Sequence, residues 1–202
     1  MNIVKPPNEL PVPSDGNTVP NSVFLAGSIG GNADLTKMAD DWQSIMTGYF
    51  EQFDFIQYVF NPRRDDWDPS WEQTIENPQF KEQVTWELDA LDRAAMVFMY
   101  YDPSTQAPIT LLELGLHATE RTVVVVCPDG FWRKGNVEIV CDRFGLPLYN
   151  SIADFQKAFS RAMMTRRVAR SALKTQTANQ GQIHEQRPLR HEARTPIHQE
   201  PR

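Results

Sequence analysis

The sequence is short of several features that would each point to a different kind of protein. It has two cysteines, Cys127 and Cys141, and neither shows metal-ligand spacing. Cys127 ends a strand-like run and Cys141 falls on an apolar helical face. Both are expected to be buried free thiols in a reducing compartment, the cytoplasm, with no disulfide and no metal centre. No apolar run approaches the roughly 20 residues that a membrane-spanning helix needs. The N-terminus lacks the basic and apolar stretches of a signal peptide. There is no internal repeat, and no glycine cluster has the GxGxxG spacing of a dinucleotide-binding turn. No cofactor is therefore expected.

What charge there is divides unevenly. The 202 residues carry a formal net charge of −6. From Arg166 onward eight Lys/Arg stand against three Glu, so this end is +5 and the body before it is −11. An acidic body argues against a duplex-binding surface on the fold itself. The stretch after Ala172 is rich in Gln, Arg and His and nearly free of large apolar residues, which predicts a solvated, disordered extension. A weak nucleic-acid or partner contact through it stays open. The first 20 residues carry five prolines and read as an irregular lead-in. The expected organisation is a lead-in over 1–20, one domain over 21–165 and a basic tail over 166–202.

Between the ends, strand and helix patterns alternate. Strand-like runs occur at Ser22–Ala26, Phe55–Phe60, Met96–Tyr101, Thr122–Cys127 and Leu146–Tyr149. The fourth is apolar throughout, as in a strand covered on both faces. Helical spacing covers Asp34–Phe50, with Met38, Trp42, Ile45, Met46 and Phe50 recurring, then Glu72–Leu91, Thr110–Thr119, Asn136–Phe144 and Ile152–Met164. Gly145 is the expected stop of the fourth helix. This alternation predicts an α/β fold: a doubly wound, flavodoxin-like parallel sheet of five strands with helices on both faces.

In such a sheet, ligands bind at the carboxyl edge of the strands. Glu113, in Leu111-Leu-Glu-Leu-Gly115, opens the helix after the third strand and is a candidate nucleophile or general base. It is equally a helix-start acid favoured by the dipole. After the first strand, Gly27-Ser28-Ile-Gly-Gly31 is either a tight turn or a loop that lets a sugar or phosphate approach the backbone. After the second strand, Asn61, Arg63, Arg64, Asp66 and Trp67 form a dense group of donors, acceptors and one indole. They read either as a charge-paired loop or as a base-recognition loop with Trp67 stacking. Val84, Leu88 and Leu91 mark the buried side of the second helix, with Glu87 beside it. Asp102, after the third strand, is a turn residue or a ligand contact.

The order of these pieces resembles the nucleoside 2-deoxyribosyltransferase superfamily, in its nucleoside 2-deoxyribosyltransferase-like branch. The segments that carry the resemblance are Val23–Ile29, Asn61–Trp67, Gln83–Leu88, Leu111–Gly115 and Gly130–Val137, within about residues 22–150. The resemblance implies that Glu113 is the nucleophile and that Glu87 holds the place of a second family acid, an Asp that helps the leaving base or positions the sugar. Substrate contacts are expected from Gly27, Ser28, Asn61, Arg63, Arg64, Asp66, Trp67, Asp102 and Asn136. Transferase members carry an Asp in the loop before the nucleophile, whereas Ser104–Pro108 has no acid. Nucleotide glycosidases have a phosphate-contacting Ser there, a place for Ser104 or Thr105. The resemblance further implies a homo-oligomer with shared sites.

The expected activity is transfer or hydrolysis at the N-glycosidic bond of a nucleoside, a deoxynucleoside or its 5′-monophosphate. Two other readings are a silent nucleotide-binding module on the same fold and an interaction protein working through the basic tail.

Overall fold

The computed structural model of the chain describes residues 1–13, 16–28, 42–119 and 122–185, with side chains as far as residue 169. Among these residues the sheet has six strands: β1 (Asn2–Val4), β2 (Val19–Gly27), β3 (Tyr58–Phe60), β4 (Ala94–Tyr100), β5 (Val123–Val126) and β6 (Leu148–Tyr149). All neighbouring strands are parallel, in the order β1-β3-β2-β4-β5-β6. The helices are α1 (Trp42–Phe50), α2 (Pro78–Arg93), α3 (Pro108–His117), α4 (Lys134–Phe144) and α5 (Ile152–Glu185).

The flavodoxin-like expectation holds, with a correction from five strands to six. The extra strand is β1, which lies in the proline-rich lead-in and pairs with β3 as Asn2↔Tyr58, Ile3↔Val59 and Val4↔Phe60. It is three residues long, with Asn2 and Ile3 exposed, so it leaves no alternating or continuous apolar signature. The second strand is shorter than expected. A turn closed by Ile56 N–H donating to Phe53 C=O precedes it, and Phe55 is exposed. Of the expected first helix, residues 34–41 lie outside the described residues. Its Ile45 is exposed, while Trp42, Met46 and Phe50 are buried.

The elements follow from their residues. β5 is four valines, buried on both faces, as β-branched side chains in a central parallel strand should be. In α2, Asn77 caps the start by accepting from Phe80 N–H at 3.0 Å, with Pro78 at the first helical position. Gly145 ends α4 in a left-handed conformation, φ 66°. Ser22 spans the irregular register of the β2–β4 pair. Its hydroxyl donates to Val19 C=O at 2.6 Å and accepts from Ala95 N–H at 2.9 Å.

Alternation along β4 sorts the core into two layers. Val97 and Met99 join Trp86, Ala90, Leu91, Leu114, Val137 and Cys141 from α2, α3 and α4. Phe98 faces the other way, against Trp42, Phe50 and Phe155 of α1 and α5. These layers belong to a compact unit over Met1–Lys157; a second unit covers Ala158–Arg202. In that second stretch α5 continues to Glu185, past the point where disorder was expected. Ala, Gln, Lys and Arg favour backbone helix even where large apolar residues are scarce. Residues 186–202 lie outside the described residues.

The strand order fixes where chemistry belongs. From β2 the chain moves to β3 on one side, then returns across β2 to β4 on the other. The carboxyl ends of β2 and β4 therefore flank a topological switch point, where open α/β sheets form their ligand crevice.

Candidate active site

At this switch point β2 ends in Gly27, with φ 153°. A Cβ on Gly27 would lie 2.6 Å from both the Trp42 ring and the Tyr100 carbonyl oxygen. The carbonyl is part of β4 and cannot swing aside. Gly27→Ala is therefore expected to lose roughly 2–4 kcal/mol of stability through strain and overpacking, read as a lower denaturant midpoint. An unchanged midpoint would contradict this packing.

The next residue ties two loops together. The Ser28 hydroxyl lies 2.7 Å from that of Thr105, and the Trp42 indole donates to Ser28 C=O at 3.1 Å. Thr105 Oγ1 donates to Asp102 C=O at 3.0 Å, and a carbonyl only accepts. With Thr105's one hydrogen committed there, Ser28 is the donor between the two hydroxyls. Residues 29–31 of the glycine-rich segment lie outside the described residues.

The carboxylates come from α2 and α3. Glu113 is the sixth residue of α3, and the first turn of that helix carries no acid. The helix-dipole explanation for Glu113 therefore fails. The buried face of α3 is Thr110, Glu113, Leu114 and His117, with Glu113 only 7% exposed. Burial, reinforced by the charge of Glu87, pushes the Glu113 carboxyl up to about 8. The buried face of α2 is Gln83, Trp86, Ala90 and Leu91. The expected face of Val84, Leu88 and Leu91 is thus corrected: Leu88 is 43% exposed, and Glu87 turns inward instead. Burial raises the Glu87 carboxyl, while the Gln83 amide, donating at 2.8 Å, opposes the rise. Each carboxyl is desolvated and the Glu87 charge opposes ionisation of Glu113, so Glu113 is the group that holds its proton at neutral pH.

Tyr101, which no sequence pattern singles out, follows β4 directly. It is fully buried against Phe131, and its phenol donates to Thr110 C=O at 3.1 Å. Burial and the Glu113 charge raise its pKa, so it stays a neutral donor that pins the first turn of α3.

The loop after β3 is held both by its own side chains and by β1 and α2. Asn61 is buried and accepts from Arg63 N–H at 3.0 Å, an Asx-type turn. Arg64 pairs with Asp66 at 2.6 Å and Glu82 at 2.7 Å, and its guanidinium lies 5.2 Å from the Trp71 ring centre. Its hydrogen bond to Arg64 holds the Asp66 carboxyl below the usual range. Arg64 and Asp66 thus fasten the loop to α2. Trp67 packs edge-on against Trp71 and stays 40% exposed.

Asp102 accepts from the Ser104 backbone N–H at 2.8 Å and the Ser104 hydroxyl at 2.6 Å. That is the turn role. Asn136 is exposed in the first turn of α4, and among the described residues no contact ties it to the carboxylates. Cys127 and Cys141 are free and buried, with thiols pushed up to about 11 chiefly by burial. Among the described residues no group of three or more His, Cys, Asp and Glu is placed to hold a metal.

Two separate groups of contacts result near the carboxyl edge. Ser28 meets Thr105; Tyr101 meets α3 and Glu113; Glu113 meets Glu87; and Gln83 joins Glu87 to the Pro62 carbonyl. Gln83 was also missed from sequence, although its four-residue spacing from Glu87 was visible.

Comparison with curated proteins gives no match. A family model described as "Nucleoside 2-deoxyribosyltransferase like" matches residues 20–131, more than half of the 202-residue chain. The match begins within β2 and runs past β5 to Phe131, so it takes in both carboxylates and the helices α2 and α3 that bear them. The chain belongs to the nucleoside 2-deoxyribosyltransferase-like family.

Proposed function

We propose that this protein cleaves the N-glycosidic bond of a nucleoside, a deoxynucleoside or its 5′-monophosphate, with Glu113 as nucleophile and Glu87 as proton donor. The observation that carries the reading is the buried Glu113 of α3, with Glu87 of α2 near enough for its charge to raise the Glu113 carboxyl.

The chemistry balances on these two groups. As the bond from C1′ to the base nitrogen breaks, its electron pair leaves with the base and the sugar carbon becomes positive. The ionised Glu113 oxygen stabilises that charge and bonds to C1′. Glu87 gives its proton to the departing base. In the second half, water or another base attacks C1′ and the Glu113–C1′ bond breaks. The attacking group's proton returns to Glu87. Water gives hydrolysis; a second base gives transfer.

In the free protein the proton that Glu87 donates sits on Glu113, whose carboxyl is raised to about 8; substrate binding must pass it to Glu87 and leave Glu113 ionised before the bond breaks. In this reading Gly27, Ser28 and Asn61 face the sugar, and the exposed indole of Trp67 faces the base. Arg63, Asp102 and Asn136 remain candidate contacts for the rest of the substrate. Arg64 and Asp66 support the loop. The reading also takes up the apolar row Ile109, Leu112 and Leu116 on the outer side of α3, all at least half exposed, as the place where a second copy packs behind Glu113.

The test is to incubate the full chain with a panel of ribo- and deoxynucleosides and their monophosphates, with and without an acceptor base, and to follow free base chromatographically. Release that is lost in Glu113→Ala is expected. Equal, slow release by both proteins would sink the proposal. Binding without turnover would favour a silent module.

A further inference from the structure

Gln83 lies one helical turn before Glu87 on α2 and is only 3% exposed. Its amide nitrogen donates to Pro62 C=O and to Glu87 Oε1, both at 2.8 Å. A carbonyl can only accept, so the Pro62 contact fixes which end of the amide is nitrogen. Both amide hydrogens are then committed. The amide oxygen is buried and has no hydrogen-bond partner among the described residues.

That inventory is odd for a residue whose role is packing. A buried amide with an unmet oxygen is a poorer filler than an apolar side chain of the same volume. Nor is it a surface helix pair, where water would compete for both partners. What the amide supplies is a bridge from a carboxyl that interacts with Glu113 to the turn that follows β3.

We propose that Gln83 is a positioning residue: its amide nitrogen holds the Glu87 carboxyl in a fixed orientation towards Glu113 and registers it against the Asn61–Pro62 turn. Its catalytic consequence rests on the glycosyl chemistry proposed above; the positioning itself is readable without turnover.

The surroundings are few and named. Glu87 on α2 and Glu113 on α3 interact with each other, and Tyr101 after β4 interacts with Glu113. Gln83's donated bond favours the ionised form of Glu87. Removing that donor leaves Glu87 with burial, which favours its neutral form. Glu87 then holds its proton to higher pH, and its carboxyl is free to change rotamer.

Two variants test this. Gln83→Met keeps the length and removes both donors. Gln83→Asn keeps the amide but is too short to reach both acceptors. In the ligand-free chain, the Glu87 carboxyl carbon is titrated by NMR, assigned by its loss in Glu87→Gln. Both variants are expected to raise the Glu87 midpoint by about half a pH unit or more. In turnover, kcat is expected to fall about 10- to 100-fold from misplacement, with KM changed far less, and the pH profile to move with the titration. Thermal unfolding checks that each variant is folded, and either folded variant suffices. A wild-type midpoint and an unchanged pH profile in a folded variant would overturn the inference. If Glu113→Ala abolishes base release while the Gln83 variants behave as wild type, the inference fails and the proposed function stands. If wild type releases no base, that function fails, and the titration still decides the positioning.

Discussion

Glu113→Gln is expected to slow base release by at least about 10³-fold, with the fold intact. Glutamine matches the glutamate in shape and keeps the packing of a side chain that is almost fully buried. It cannot bond covalently to C1′ and carries no charge to set against the developing positive sugar. Both steps of the proposed reaction lose their central group. Single-turnover release of base, compared with wild type at the same pH, is the measurement. A variant retaining more than about a tenth of the wild-type rate would remove Glu113 from the nucleophile role. The wild-type profile should itself be bell-shaped. It falls on the acid side as the second proton binds the pair, and on the alkaline side near about 8, where the last proton leaves.

The same substitution should make the protein more stable in alkaline solution. The Glu113 carboxyl has an ordinary pKa of 4.5 and is pushed up to about 8 in the fold. Between those values the folded chain keeps a proton that the unfolded chain has released. Folding stability from this group is therefore complete below 4.5, declines as pH rises, and is lost above about 8. Glutamine does not titrate and escapes the decline. Relative to wild type, Glu113→Gln should gain roughly 2–4 kcal/mol between about pH 5 and about pH 9. Urea midpoints of both proteins at the two pH values give the comparison. Parallel pH dependences would mean that Glu113 is not held neutral in the fold. The two results together would show a group kept for chemistry at the expense of stability.

The parts of this chain that obey ordinary patterning were legible. The valine run of β5, the alternation of strands and helices and the glycine stop of α4 all read correctly, because burial and backbone geometry alone dictate them. β1 was not legible, since three edge residues carry no periodic signal. The site was partly legible, and the misreadings share a cause. On α2 the apolar Val84 and Leu88 pointed to one face, while the buried face carries Gln83 with Glu87 turned inward. On α3 Ile109, Leu112 and Leu116 lie outside, while Thr110, Glu113 and His117 lie inside beside Leu114. Both helices break the rule that apolar positions mark the core, and they break it where the carboxylates meet. Gln83 and Tyr101 escaped notice because their roles depend on contacts with Pro62 and Thr110 that no local window of sequence contains. Arg64 carries a contact that no local window shows either, its pairing with Glu82 across 18 residues.

The direction of one proton sets the character of the crevice floor. Thr105 spends its hydrogen on Asp102 and Ser28 spends its own on Thr105. Two hydroxyls that each carry a donor and acceptors on paper thus have only lone pairs left to offer. A group approaching Ser28 along this wall meets a Lewis base, which welcomes an incoming O–H or N–H and turns away an unprotonated oxygen. An amphoteric residue has been given a fixed polarity by a carbonyl three residues before Thr105.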